Sequence, residues 1–167
     1  MGNHIRTLMV ATAVCAIAGI AYADSHFITA SDSIDSAGNL TAKWKEAGLG
    51  NCAPSGICEY VLSATVSSTW QCFNGGNNQP QGQPFKLPPS NGSAPGGFAP
   101  THNGTITASL TLSPDPDDLS CGKPPFKLCL TAVSYTNVTL TDTTVKDSTP
   151  LSPQQQAAQP DQVLSCE

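Results

Sequence analysis

Two histidines, His26 and His102, are the side chains best suited to proton transfer once the first 23 positions are set aside. A Ser-His-Asp triad needs such a histidine between a serine nucleophile and a carboxylate that holds the ring. Serines and aspartates are abundant, but no serine lies in a G-x-S-x-G turn of the type that exposes a nucleophile. We therefore interpret both histidines as exposed surface residues.

The acidic residues allow two further kinds of site, a metal site and a pair of glycosidase carboxylates. Asp115, Asp117 and Asp118 are closely spaced, yet they lack the glycine and the distal glutamate of a calcium loop. Nothing in the sequence brings Glu46 and Glu59 to the two sides of one cleft. We expect a solvated turn at the aspartates, exposed edge charges at the glutamates, no metal or other cofactor, and no enzymatic activity.

Three phenylalanines offer a candidate binding surface, because an exposed aromatic ring presents a large rigid apolar face to a ligand such as a sugar. They lie in residues 73–101, a stretch rich in Gly, Asn, Gln and Pro: Phe73, Phe85 and Phe98. We predict this stretch to be a long surface loop, with a short edge strand at residues 84–88 because prolines flank it.

The first 23 residues have the pattern of a secretory signal peptide. Arg6 supplies the positive charge, residues 8–20 are apolar, and residues 21–23 form an A-x-A cleavage site. We expect a secreted chain that begins at Asp24 and has no membrane insertion after cleavage. An uncleaved membrane anchor is the alternative.

Charge narrows the choice of partners. Removing residues 1–23 leaves six lysines, no arginine and twelve acidic residues, a net charge of 6 − 12 = −6. Nucleic acids and anionic membranes select basic surfaces, so we expect neither as a partner.

Alternating apolar residues predict an all-β fold. Such patterns cover residues 40–45, 59–70, 104–113 and 126–143, and residues 24–33 form a weaker first strand whose apolar residues are Phe27 and Ile28. In residues 126–135 the alternation places Leu128 and Leu130 on one face and Val133 and Tyr135 on the other. The pattern changes phase at residues 135–137, which indicates either a bulge in one bent strand or a hairpin turn.

We therefore predict one domain over residues 24–146, an antiparallel β-sandwich of about seven strands. Residues 147–167 are rich in Pro and Gln and read as an extended or disordered tail, which Cys166 would tie back to the domain.

A set of short motifs resembles a family of small secreted proteins best known from actinobacterial genomes and mostly uncharacterised. The motifs occupy residues 45–51, 70–76, 119–121 and, above all, 133–142 (VSYTNVTLTD). The resemblance covers about residues 40–144. It implies an immunoglobulin-like sandwich, a secreted location, and no catalytic residues.

The resemblance also implies a cysteine pairing. Cys72 and Cys121 match the two cysteines typical of that family, so we pair them. Cys52 and Cys58 are close enough to close their own loop, which leaves Cys129 for Cys166. Six cysteines allow fifteen connectivities, so this pairing is a hypothesis.

The function that we expect is non-catalytic: a structural or binding protein acting at the cell surface or outside the cell, with a polysaccharide or a protein as its ligand. The alternative is a small protease inhibitor or protein antagonist that presents a disulfide-braced loop.

Overall fold

A computed structural model describes residues 24–50, 52, 54–75, 79–158 and 163–166. The expected signal peptide lies outside these residues. Over the described ranges the chain forms ten β-strands and contains no α-helix, so it has no helix there that could cross a membrane. The strands are β1 (His26–Ile34), β2 (Leu40–Ala47), β3 (Cys58–Asn74), β4 (Pro80–Lys86), β5 (Ser90–Phe98), β6 (Ile106–Leu112), β7 (Phe126–Asp142), β8 (Asp147–Pro150), β9 (Gln154–Ala157) and β10 (Ser165–Cys166).

Sheet A is small and antiparallel, in the order β1-β2-β6. Its central strand β2 alternates strictly: Leu40, Ala42, Trp44 and Glu46 are buried, and the residues between them point outward. The strand pairs with β1 on one side and β6 on the other. One face of the sheet is therefore packed in the core and the other faces solvent.

Sheet B is larger and curled, and it is built on the two longest strands, β3 and β7. β5 and β4 pair along the free edge of β3. β8, β9 and β10 pair along the opposite edge of β7. The curl brings β5 beside β6 and brings β8 and β9 beside β1, so sheet B reaches sheet A on both sides.

The core lies between the two sheets and divides into two clusters. The larger one joins Leu40 and Leu112 of sheet A to Leu62, Leu130 and other residues of sheet B. The smaller one contains the mutually packed rings of Trp44, Tyr60 and Phe98, and Phe27 packs against it. Trp44 lies 4.8 Å from Tyr60 and 5.3 Å from Phe98 between ring centroids, the distances of edge-to-face and tilted aromatic packing.

β7 is one bent strand rather than a hairpin. Its register against β3 shifts by one residue at Thr131 and again at Asn137, which has a φ of +51°. Because each bulge adds a residue, the inward face changes phase twice. Val133 and Tyr135 are buried in the same cluster as Leu128 and Leu130. The prediction that these two pairs of residues lie on opposite faces was wrong, because it assumed that the alternation continues unchanged across the first bulge.

Residues 73–101, predicted as a loop with an edge strand at residues 84–88, contain two strands, β4 and β5. β4 is an edge strand as predicted, although it covers residues 80–86, and β5 was not predicted. β5 pairs with β3 over nine residues although its sequence, SNGSAPGGF, is poor in apolar side chains. A Cβ on Gly92 would lie 2.9 Å from Val66, and one on Gly96 would lie 2.6 Å from Leu110. Close approach to neighbouring side chains therefore explains the glycines that suggested a loop.

The described part of the Pro- and Gln-rich tail adds to sheet B. β8, β9 and β10 each pair antiparallel with β7, and the Leu151 and Ala158 amides donate to its carbonyl oxygens between the strands. Together with β5, these three strands explain why the described residues form ten strands where the sequence predicted about seven.

Three disulfides join the pairs of the hypothesis: Cys72 with Cys121, which the resemblance implied, and Cys52 with Cys58 and Cys129 with Cys166. The first ties the end of β3 to the segment before β7. The third holds the last strand, β10, against β7, where Cys166 is the register partner of Cys129.

Candidate binding face

The outward side of sheet A carries side chains of only two kinds at nine consecutive register positions. Three rows cross its strands in the order β1-β2-β6: Ser33–Thr41–Thr111, Ser31–Lys43–Ser109 and Thr29–Lys45–Thr107. We call these nine residues the hydroxyl–lysine face. Seven of them are hydroxyl residues and the other two are the lysines at its centre.

Local sequence explains this arrangement. Alternation along β2 buries Trp44 and Glu46, so Lys43 and Lys45 project to the other side. The same alternation in β6 points Thr107, Ser109 and Thr111 outward. The antiparallel register then sets a hydroxyl residue on each side of each lysine.

Both lysines are exposed, and no acidic residue occupies the face. In the part of the chain that the structure describes, neither ammonium group forms an ion pair or a hydrogen bond. At the end of the face nearest the β1–β2 turn, the Oγ1 atoms of Thr41 and Thr111 lie 3.0 Å apart and hydrogen-bond. Both ammonium groups are therefore available for contacts outside the described residues. The sheet fixes the Cα positions of Lys43 and Lys45, and their flexible side chains set the positions of the ammonium groups.

The distances suit a small array of polar groups. Two residues along a strand span about 6.7 Å, and neighbouring strands lie about 4.8 Å apart. Each ammonium offers three N–H donors and each hydroxyl can donate or accept. A shallow groove of about 500 Å³ lies here, lined by Thr29, Ser31, Lys43, Trp44, Lys45, Thr107, Ala108 and Ser109. The array can hold negative groups at its centre and hydroxyl groups at its margins.

Part of the hydroxyl–lysine face could be predicted from the sequence. The alternation in residues 40–45 and 104–113 predicts the outward positions of β2 and β6. The sequence does not show that β2 pairs with β6, or in which register, because about sixty residues separate the two strands. The face is therefore visible only in the fold.

The three phenylalanines predicted as a binding surface do not share an exposed face. Phe73 is only 6% exposed, at the end of β3. Phe98 packs on Trp44 and Tyr60 in the smaller core cluster. Phe85 alone of the three is an exposed residue, at 39%. The burial of Phe73 and Phe98 follows from the strands β3 and β5, which replace the predicted loop.

Glu46 was expected to be an exposed edge charge, but it is fully buried, as is Asp142. It follows the inward phase of β2, and its Oε2 accepts a hydrogen bond from the Tyr60 hydroxyl at 2.8 Å. Asp142 Oδ1 accepts from the amides of Thr144 and Val145 at 2.7 and 3.3 Å. The second oxygen of each carboxylate has no hydrogen-bond partner among the described residues.

Burial raises the pKa of Glu46 to about 7. The Tyr60 hydrogen bond opposes this rise, and the negative charges of Asp142 and Asp147 add to it. Glu59, the other glutamate considered for a glycosidase pair, is exposed at the start of β3, whereas Glu46 is enclosed in the core. The two carboxylates therefore do not line one cleft as those of a glycosidase do.

The other residues considered for chemistry lie apart. His26 and His102 are both exposed. Asp115 Oδ1 accepts a hydrogen bond from the Asp117 amide at 2.9 Å, which makes this segment an Asx turn. Within the described ranges, no three His, Cys, Asp or Glu side chains are grouped so as to hold a metal ion.

A second shallow groove of about 560 Å³ crosses sheet B where it curls. Its lining residues are Ser67, Ser68, Thr69, Lys86, Leu87, Ala132, Val133, Ser134, Gln155, Gln156 and Ala157. It has hydroxyl and amide groups but a single lysine at its rim. It is thus less suited to a charged ligand than the hydroxyl–lysine face.

Searches against protein-family models, curated proteins and solved structures find no match to this chain. The resemblance to small secreted actinobacterial proteins stays a prediction.

Proposed function

We propose that this protein is a secreted, non-catalytic binding protein that acts at the cell surface or outside the cell through the hydroxyl–lysine face. The sandwich is proposed to be of the immunoglobulin-like type, as the family resemblance implies. Two packed antiparallel sheets are consistent with that type. The three disulfides are typical of extracellular proteins, which supports the secreted location.

One observation carries the proposal: Lys43 and Lys45 are exposed, have no ion pair or hydrogen bond within the described ranges, and are flanked on both sides by hydroxyl residues of β1 and β6. Polar groups that project from the sheet and have no partner among the described residues are available to an external partner. Among the described residues no serine or threonine of the face hydrogen-bonds to Lys43 or Lys45, so the geometry does not pair a nucleophile with a base, and we base the proposal on binding.

The alternative, a protease inhibitor, would need a protruding loop of extended backbone. Residues 54–56 instead form a turn, with the Gly56 amide donating to the Cys52 carbonyl at 3.1 Å. Both cysteines are buried in the smaller core cluster. We therefore base the proposal on sheet A rather than on this loop.

Co-sedimentation tests the proposal. Purified protein lacking residues 1–23, with its disulfides intact, is mixed with the producing organism's cells, with its isolated surface polysaccharide, and with unrelated particles. We expect retention on the organism's own material and loss of that retention in the Lys43→Gln/Lys45→Gln variant. Absence of retention on every material would overturn the proposal.

A further inference from the structure

The hydroxyl–lysine face is a local positive patch on an acidic protein. Twelve acidic residues outnumber seven basic ones in the whole chain, yet none of the twelve lies among the nine residues of the face. Lys43 and Lys45 are two of only six lysines in the chain. Charge complementarity therefore calls for a ligand with negative groups.

The hydroxyl residues at the margins of the face indicate that the ligand also carries a second kind of group. Each lysine has a serine or threonine on both neighbouring strands, and a third row, Ser33–Thr41–Thr111, continues the hydroxyls beyond Lys43. Hydroxyls can donate to and accept from the hydroxyls of a sugar. A ligand that alternates charged groups and hydroxyls matches both parts of the face.

From this match we infer that the hydroxyl–lysine face binds an anionic polysaccharide. Carboxylate, sulfate or phosphate groups of the polymer pair with Lys43 and Lys45, and sugar hydroxyls bond to the flanking serines and threonines. This inference rests on the proposed function and names its ligand class.

The same features count against the other macromolecules. A nucleic acid carries a dense row of phosphates, and proteins that bind it neutralise many of them with Lys and Arg. Here the face has two lysines, and residues 24–167 have no arginine. Protein interfaces centre on buried aromatic or apolar anchors, and none of the nine residues is of that type.

The first experiment compares defined probes by affinity electrophoresis or calorimetry at low salt. They are dextran sulfate, neutral dextran of the same length, polygalacturonate, a glycerol-phosphate polymer, and single-stranded DNA. We expect binding to at least one anionic carbohydrate polymer and none to neutral dextran. Two ion contacts predict roughly a sevenfold to twelvefold loss of affinity between about 50 and 200 mM salt, if the polymer releases counterions as nucleic acids do.

A matched pair of variants assigns the binding to the face. Lys43→Gln/Lys45→Gln should weaken binding by roughly tenfold or more at low salt, since both ion contacts are lost. Lys123→Gln/Lys127→Gln removes the same charge from exposed positions of another region and should leave binding unchanged. Ser31→Ala/Ser109→Ala tests the hydroxyls, and we expect it to weaken carbohydrate binding with the salt slope unchanged.

The outcomes separate the two proposals. Equal weakening by both lysine pairs would show general electrostatics and overturn the inference, as would tighter binding to single-stranded DNA than to every carbohydrate. If no anionic polymer binds but the organism's own material still retains the protein through Lys43 and Lys45, the ligand class is wrong and the binding function stands. If neither occurs, both proposals are overturned.

Discussion

Tyr60 donates a hydrogen bond of 2.8 Å to Oε2 of Glu46, and both side chains are fully buried. The bond runs from β3 of sheet B to β2 of sheet A, so it ties the two sheets together inside the smaller core cluster. It also leaves Oε1 of Glu46 buried without a partner among the described residues. A buried carboxyl so poorly satisfied favours its neutral form.

Stability should therefore depend on the protonation of Glu46. Its pKa is raised by burial to about 7 from an ordinary value of 4.5. The folded state then holds this proton more tightly than the unfolded state does. The contribution to stability is complete below about pH 4.5, falls as the pH rises to about 7, and is lost above it. The difference is at most about 3 kcal/mol.

The Glu46→Gln variant should remove this dependence. Gln keeps an acceptor for Tyr60 and cannot ionise. Relative to wild type, we expect about 2–3 kcal/mol of added stability at pH 8 and little change at pH 4.5, measured by urea unfolding at both pH values. Glu59→Gln, at an exposed position, is the control and should leave the pH profile as in wild type. An unchanged profile in the Glu46 variant would contradict the prediction.

Tyr135 provides a second link between the sheets. Its hydroxyl lies 2.8 Å from the Gly38 carbonyl and 3.3 Å from the Leu112 carbonyl, and the side chain is fully buried. Tyr135→Phe keeps the ring but leaves these buried carbonyls without the donor. We expect a loss of about 1–2 kcal/mol in the free energy of unfolding, with the fold retained.

Thermal and urea unfolding would measure that loss. Thr136→Val, at the exposed neighbouring position, is the control, since it removes only a long hydrogen bond of 3.5 Å. A Tyr135→Phe variant as stable as wild type would show that the hydroxyl bonds do not contribute.

The sequence predicted the strands whose inward residues are large and apolar, and it failed where other contacts decided the structure. Alternation identified β2, β3 and β6 because Leu40, Leu62 and Ile106 had to be buried. It could not show that Thr131 bulges, since a bulge is fixed by pairing with β3. It also could not show that Gly92 and Gly96 belong to a strand. Those positions need glycine because side chains of β6 and β3 pack closely against them, and this packing is known only from the fold.

The candidate site follows the same division. The outward direction of Lys43 was readable from β2 alone. The flanking of Lys43 by Ser31 and Ser109 depends on the order β1-β2-β6, which no local pattern specifies. The prediction for Glu46 was wrong for a related reason. Its charge suggested an exposed position at a sheet edge, whereas the alternation along β2 places its side chain in the core beside Tyr60.

Gly92 of β5 should resist substitution because of its packing. A Cβ there would lie 2.9 Å from Val66 Cγ2 and 3.3 Å from two atoms of Leu112, so both side chains would have to move. We expect Gly92→Ala to cost about 1–2 kcal/mol, because overpacking outweighs the entropy gained by replacing glycine. Ser93→Ala, next to it on the exposed side of β5, should change stability by less than about 0.5 kcal/mol in the same urea unfolding assay. A Gly92→Ala variant that is more stable than wild type would mean that Val66 and Leu112 can move aside with little loss of free energy.

The Cys129–Cys166 disulfide holds the last strand on β7, and its removal should loosen that edge specifically. The bond links residues 37 positions apart, and loop closure of this length contributes about 2–4 kcal/mol. We expect Cys129→Ala/Cys166→Ser to lose about that much stability. The Leu164 amide donates to the Leu130 carbonyl at 2.9 Å, and in this variant we expect its hydrogen exchange to be faster. Cys72→Ala/Cys121→Ala removes a bond of similar span, 49 positions, and should lower overall stability while leaving Leu164 protected under native conditions. Equal exchange of Leu164 in both variants would show that β10 is held by the sheet as a whole rather than by its own disulfide.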